Sequence, residues 1–324
     1  MAGRHRIRAV AGFLMANFVL CIVCSAASIV VGPLGTVVLP LPVAACFVRG
    51  RVGLGVCICG LAALAAFLTL GGVQTALLYA LVAGIGIPLG VGIAHGWRYR
   101  RIVALVAVTG YALILGAVLA SWNEWCAAMQ SQWGAFASSA QSNAASDSDV
   151  AAQIVAMSRW AQEHVPEMML GTMFWPLLIG ACVLVAVAIR WFGTKYRVPA
   201  PPGSIRDMKP PDWLVWLVIA CAGLWYADAR WHVAAARLVA WNGAIALAAV
   251  YWLNGLSVAL YVLNAVRAQL FVYAALGILL MLGTVHPLLC FTGLFDTWGD
   301  FRTAADRALA AWRKRNEDRE DDDE

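Results

Sequence analysis

A polytopic bundle of eight or nine transmembrane helices with a cytoplasmic N-terminus is the all-α fold class this sequence predicts. Three observations predict it. Hydrophobic residues make up 62% of the chain and charged residues 13%, about half the charged share of a soluble domain. Apolar stretches recur throughout that reach the roughly 20 residues needed to cover a core of about 30 Å. Over the first two-thirds, only every second gap between those stretches carries Arg or Lys.

Spans are expected near 9–31, 33–48, 53–71, 73–96, 102–122, 168–190, 212–229, 235–265 and 269–293. The first follows Arg4, Arg6 and Arg8 as a signal peptide would. Its apolar run is longer than the roughly 7–15 residues of a signal core, no small-residue cleavage site precedes a soluble chain, and further spans follow at once. An uncleaved first helix is the reading. Pro33, Pro40 and Pro42 make the second span irregular. In the fourth, Gly86-x-x-x-Gly90 and Gly92-x-x-x-Gly96 flank Pro88 and let backbones approach closely.

Orientation follows from the basic residues, which concentrate in cytoplasmic gaps. One set of gaps holds Arg4, Arg6, Arg8, Arg49, Arg51, Arg98, Arg100, Arg101, Arg190, Lys195, Arg197, Arg206 and Lys209; the alternate set holds only Arg159. Residues 1–191 therefore read as a six-span unit with both ends inside. Its one large external piece is 122–167. There, 130–146 is low-complexity and reads as mobile, and Asp147 and Ser148 cap a short amphipathic helix over 149–165. That helix either packs over the bundle mouth or acts as a substrate lid.

A linker over 192–211 follows, and its prolines keep it extended. Residues 212–301 form a C-terminal unit of two to three spans, with Trp213, Trp216, Trp225 and Trp231 as interfacial anchors. Three spans would put the charged tail 302–324 outside, against its basic residues. Two arrangements stay open. Segment 232–265, about 51 Å as a helix, breaks at Asn254-Gly255 into a re-entrant pair and returns the tail to the cytoplasm; or it is one tilted helix with an external tail.

Motifs for catalysis are missing: no H-E-x-x-H, G-x-S-x-G or phosphate-binding G-x-x-x-x-G-K-[ST] occurs. The five histidines show no ligand spacing, and the nine cysteines lie almost all inside spans, where they pack as small hydrophobes. Neither an enzyme, a metal site nor a cofactor is expected, and nothing points to nucleic acid.

Polar residues inside spans are costly and default to function. Asn17, His95, Asn242, Asn254 with its neighbour Gly255, Asn264 and His286 are the candidates for ligand binding or gating. Against each stands an ordinary interhelical hydrogen bond. No acidic residue lies mid-span in the first six segments; this argues against an Asp/Glu-coupled carrier and for a neutral or weakly polar ligand. At the last membrane exit, Asp296, Trp298, Asp300 and Arg302 are candidates for a partner surface or hinge, the two aspartates one helical turn apart. Beyond it, 302–316 forms a basic amphipathic helix with Ala305, Leu309 and Trp312 on one side.

Pro210-Pro211-Asp212-Trp213, Asn242, Asn254-Gly255-Leu256 and the run from Gly293 to Arg302 (GLFDTWGDFR) resemble the YybS-like family of bacterial polytopic membrane proteins. That family carries no assigned activity, so the resemblance implies no functional residue. The six-span front unit is similar in layout to the substrate-binding components of energy-coupling-factor transporters. That similarity implies a small-molecule ligand and a separate ATPase and coupling subunit, docked through small residues such as Gly12 and Ala16 in the first span. The spans after 211 depart from this layout. The expected function is a small-molecule permease or substrate-binding transport subunit in the bacterial inner membrane, with the lipid bilayer as its constant partner. The alternative is a non-transporting scaffold acting through its tail and external helix.

Overall fold

The computed structural model describes residues 39–70, 73–120, 122–143, 148–266, 270–280 and 285–322. Every regular element among them is helical. The expected first span, with Gly12, Ala16 and Asn17, lies outside the described residues. The chain forms two compact units, one of Met1–Trp125 with Pro176–Pro202, the other of Cys126–Trp175 with Gly203–Glu324.

In the first unit, helices α1 (Pro40–Val48), α2 (Val52–Leu70), α3 (Val73–Gly84), α4 (Gly86–Ala94) and α5 (Tyr99–Ala120) pack with the C-terminal part of α7 (Ser148–Tyr196). Pro40 opens α1, where a missing N–H costs nothing. The expected span 73–96 is two helices that part at Ile85. Pro88 cannot donate to the Gly84 carbonyl, so the hydrogen-bond ladder fails there. The predicted close approach lies just beyond. A Cβ on Gly86 would strike the Pro40 carbonyl, and one on Gly90 would stand 2.7 Å from the Ala44 carbonyl oxygen. Around this crossing Leu39, Val43, Cys46, Ile58, Ala62 and Ala83 form a dry core.

Two expectations about the region after α5 need correction. Of the stretch read as mobile, 130–146, the described residues 130–143 are helical, within α6 (Trp122–Asn143). Its low complexity consists mostly of Ala, Gln and Ser, and Ala is the strongest helix former; Ser131 and Ser138 bond back to the carbonyls of Ala128 and Ala135. The short helix expected at 149–165 does not end there. It continues through Pro166 and Pro176 as the 49-residue α7, the apolar run after Met168 supplying one unbroken helical pattern.

In the second unit, α8 (Leu214–Trp231) and α9 (Ala234–Ala265) form an antiparallel pair joined by His232 in a left-handed conformation (φ 52°). Trp225 stacks edge-on against Trp241 at 4.7 Å, and Cys221 faces Gly243. α9 is one continuous 32-residue helix through Asn254-Gly255, which settles the open alternative over 232–265 in favour of a single helix. The four anchor tryptophans of α8 are all exposed, and no residue of α8 is buried, as suits a helix facing hydrocarbon.

The expected last span, 269–293, is not one helix but α10 (Leu270–Leu279) and α11 (Val285–Gly299). Val285 is the first described residue of α11, and Pro287 lies in its first described turn. α11 runs parallel to α9: Trp252 meets His286, Gly255 meets Leu289, Tyr251 meets Gly293 and Asn254 meets Asp296. The chain thus leaves α9 at Ala265 and starts α11 beside Trp252, roughly 20 Å back along the same helix. α10, 10 residues and about 15 Å long, lies in the returning stretch. At Asp300 (φ 42°) the chain turns and α12 (Phe301–Asp322) begins. Its first turns run along the end of α9, where the Tyr261 hydroxyl donates to Asp306 at 2.9 Å.

Among the described residues, four helices are long and apolar enough to cross a membrane: Tyr99–Ala120, Met168–Tyr196, Leu214–Trp231 and Ala234–Ala265; Val52–Leu68 and Tyr79–Ala94, the latter spanning the junction of α3 and α4, are shorter apolar stretches.

Candidate functional site

The second unit is organised around a helix crossing without side chains at its centre. A Cβ on Gly293 would collide with the Tyr251 carbonyl, and one on Gly255 with the Leu289 carbonyl. α9 and α11 therefore touch backbone to backbone, the arrangement that small residues permit in membranes. Asn254 and Asp296 flank this contact, at 2% and 0% exposure.

A buried carboxylate needs a paired and hydrogen-bonded partner, and Arg302 supplies it. Arg302 Nη1 donates to Asp296 Oδ2 at 3.0 Å. Its Nη2 reaches Asn254 Oδ1 at 3.1 Å, Ser257 Oγ at 2.9 Å and the Met208 carbonyl at 2.8 Å. Asn254 Nδ2 donates to the Gly293 carbonyl at 2.8 Å and to Asp296 Oδ2 at 3.3 Å. Asp296 Oδ1 accepts the Phe301 N–H at 3.0 Å, across the corner into α12. Ser257 completes the set by donating to the Arg206 carbonyl at 2.9 Å.

One guanidinium thus ties the linker, α9, α11 and the root of α12 together. A planar fork with five donors does this; a point charge does not. The local chain delivers each group. Ser257 follows Asn254 by one helical turn and shares its face. Gly299 and the left-handed Asp300 turn the chain so that Arg302 folds back onto Asp296. Linker residues Ile205–Asp207 form a short 3₁₀ turn capped reciprocally by Ser204 and Asp207, which presents the Arg206 and Met208 carbonyls. The linker and the tail root consequently lie at the same end of this unit.

Of the sequence candidates, Asn254, Gly255, Asp296 and Arg302 come together here. Asn242 does not: its Oδ1 accepts the Gly171 N–H at 2.6 Å and its Nδ2 donates to Leu238. Asp296 and Asp300 do not share a face, because α11 ends between them; Asp300 instead accepts the Thr303 hydroxyl at 2.7 Å at the start of α12. Trp298 is exposed at 64%. His95, in the first unit, is exposed at the end of α4 and bonds to the Val91 carbonyl of its own helix. Sequence reasoning missed Ser257 and the two linker carbonyls. The Ser was legible as the i+3 neighbour of Asn254; backbone carbonyls carry no sequence signal.

Two further features belong to this unit. Trp252 Nε1 donates to His286 Nδ1 at 3.0 Å, with Trp175 at 5.4 Å from the Trp252 ring. Between α8, α9 and α11 opens an apolar cavity of about 240 Å³, lined among others by Cys221, Trp225, Ala244, Ala248, Cys290 and Phe291. Among the described residues, no cluster of His, Cys, Asp and Glu is placed to hold a metal ion.

Long apolar helices, interrupted helices and a polar cluster sealed inside define an integral membrane protein of helical class. The chain belongs to the DUF2232 family of predicted membrane proteins, whose model matches residues 18–297. The match ends between Asp296 and Arg302, so the guanidinium half of the network lies beyond it. Neither a curated protein nor a solved structure matches the chain.

Proposed function

We propose that the protein is a small-molecule permease, or the substrate-binding subunit of a transport system driven by a separate ATPase or coupling subunit. It works in the bacterial inner membrane with the N-terminus in the cytoplasm. The observation that carries this reading is the broken α10–α11 segment, whose second half starts beside the middle of α9 rather than at its end. Lipid cannot satisfy interrupted backbone, so such breaks are found where they are buried in protein or line a cavity, and in transporters they mark the substrate site. The split of α3 from α4 at Ile85 repeats the theme in the other unit. Here an enzymatic role has no support in any motif, and the ligand is neutral or weakly polar.

In this reading α8 and α9 are full spans and α10–α11 a re-entrant pair. Six spans before the linker then make eight in all, with linker and tail both cytoplasmic. The shared Arg302–Met208 bond and the basic residues on both segments support this. The resemblance to the YybS-like family and to the layout of energy-coupling-factor binding components fits it as well. Single cysteines at Ser204, Val233 and Ala310 in a cysteine-free background test the topology. Ser204 and Ala310 should label with a membrane-impermeant maleimide from one side and Val233 from the other. Labelling of Ala310 together with Val233 would overturn it. Native mass spectrometry of the purified protein tests the function: a retained small molecule or a co-purifying ATPase supports it, and neither in any detergent or nanodisc sinks it.

A second reading, a membrane scaffold, draws on the clamp that fixes the root of α12. It predicts that partners are lost on removal of the tail helix while ligand binding is untouched.

A further inference from the structure

We infer that one end of the first unit is a docking surface for anionic phospholipid headgroups, with a preference for a lipid that carries two phosphates. The inference stands on the membrane class of the chain and is independent of the transport reading.

The surface is assembled from three chain corners. α1 and α4 run parallel, Gly86 meeting Pro40 and Gly90 meeting Ala44, so the two helices end side by side, at Arg49 and His95. The end of α7 joins them, where the Arg49 guanidinium stacks on the Tyr196 ring at 4.1 Å. The start of α5 closes the group, the Tyr99 N–H donating to the Pro202 carbonyl at 3.0 Å, a few residues past α7. The first corner brings Arg49 and Arg51, and the second brings Arg98, Arg100 and Arg101. The end of α7 adds Arg190, Lys195 and Arg197, and every one of these side chains is exposed.

No carboxylate of this unit answers them. Its one acidic residue is Glu124, beyond the opposite end of α5, a 22-residue helix about 33 Å long. The charge rule that orients the chain asks for basic residues in alternate gaps; it does not bring them together at one place. Here Lys195 Nζ also lies over the Tyr196 ring, at 5.8 Å, and over Trp191 at 5.2 Å. Arg49 and Lys195 thus share one ring, within roughly 10 Å of each other, about the Debye length at 0.1 M salt. Two cations held this close repel, and an anion that bridges them relieves the repulsion.

Depth selects a lipid over a soluble acidic partner. Tyr99–Ala120 and Met168–Tyr196 are long and apolar enough to cross the membrane, and the basic residues gather at their ends, at the level of the bilayer phosphates. Trp97, Trp191 and Tyr196 stand half-buried among them, and Trp and Tyr are the residues enriched at headgroup depth. Basic pockets between membrane helices take headgroups that carry several charges. Two cations on one ring favour two phosphates on one lipid over two separate lipids, because the second phosphate then binds intramolecularly.

The test measures binding of fluorescent cardiolipin, a two-phosphate probe, to the full chain in neutral detergent. Unlabelled cardiolipin should displace the probe more effectively per phosphate than phosphatidylglycerol does, and phosphatidylcholine should not displace it. Without any mutation, affinity should fall steadily as salt rises. Arg49→Gln combined with Lys195→Gln should weaken binding roughly 30-fold, equivalent to about 1 kcal/mol for each base. Arg49→Lys combined with Lys195→Arg should keep most of the affinity, and Arg230→Gln in the second unit should leave it unchanged. Salt-independent binding to the wild type, equal displacement per phosphate by the two anionic lipids, or full affinity in the double Gln variant would each overturn the inference. So would soluble polyglutamate binding more tightly than cardiolipin, because the partner would then be an acidic protein.

Discussion

The two units each contain a helix crossing built on glycine, and they differ in what surrounds it. In the first, Gly86 and Gly90 of α4 lie against Pro40 and Ala44 of α1, and the neighbours are Val43, Cys46 and other apolar groups. In the second, Gly255 and Gly293 meet at close range, but a buried Asn, Ser and Asp and a part-buried Arg frame the contact. Glycine spacing alone gives proximity. The polar frame adds register, because Arg302 satisfies its acceptors at one position of α11 along α9 and leaves them unpaired at any other.

Substitutions separate these contributions. The largest effect is expected for Gly293→Val, whose side chain has no room beside the Tyr251 carbonyl. Loss of roughly 4 kcal/mol or more should appear as failure to recover monodisperse protein, and Gly86→Val should do the same in the first unit. Asp296→Ala comes next. It removes the counter-charge of a part-buried guanidinium and should cost about 2–4 kcal/mol in thermal unfolding in detergent, while Asp296→Leu combined with Arg302→Met should regain much of that. A double variant as unstable as Asp296→Ala would show that the network supplies more than charge balance. Arg302→Lys keeps the charge but not the fork, and a loss of about 1–2 kcal/mol is expected. Ser257→Ala removes one neutral donor for about 1 kcal/mol. Cys57→Ser, at an exposed cysteine of α2, should change neither stability nor complementation; an effect as large as that of Asn254→Leu would break the comparison.

Much of this was legible from the sequence. Long apolar runs identified α5, the span portion of α7, α8 and α9 within a few residues, because a single-span helix has a long, simple signature. Gly86-x-x-x-Gly90 was legible as a close approach; Asn254 was singled out as a gating candidate and Asp296 and Arg302 as a partner surface, but nothing local joined them into one network. What failed were the interruptions. The hydropathy of 269–293 is continuous, so the split into α10 and α11 left no apolar gap to read. The Ala-rich 130–146 looked structureless because composition was weighed there and helix propensity was not. One of the four partners of Arg302, the Met208 carbonyl, is backbone of a distant linker, and no local pattern encodes it.

The clamp also has a consequence for biosynthesis. Met208 and Arg302 are 94 residues apart. At roughly 5–20 residues per second, between about 5 and 20 s separate their emergence from the ribosome. For about the second half of that interval Asn254 and Ser257 sit in a nascent chain with their eventual donor unmade. The C-terminal unit is therefore assembled in one late step, and a chain stalled before Arg302 presents an unpaired Asp296 and uncapped polar groups to the insertion and quality-control machinery. The donor that completes the network thus arrives after nearly all of the membrane helices have been made.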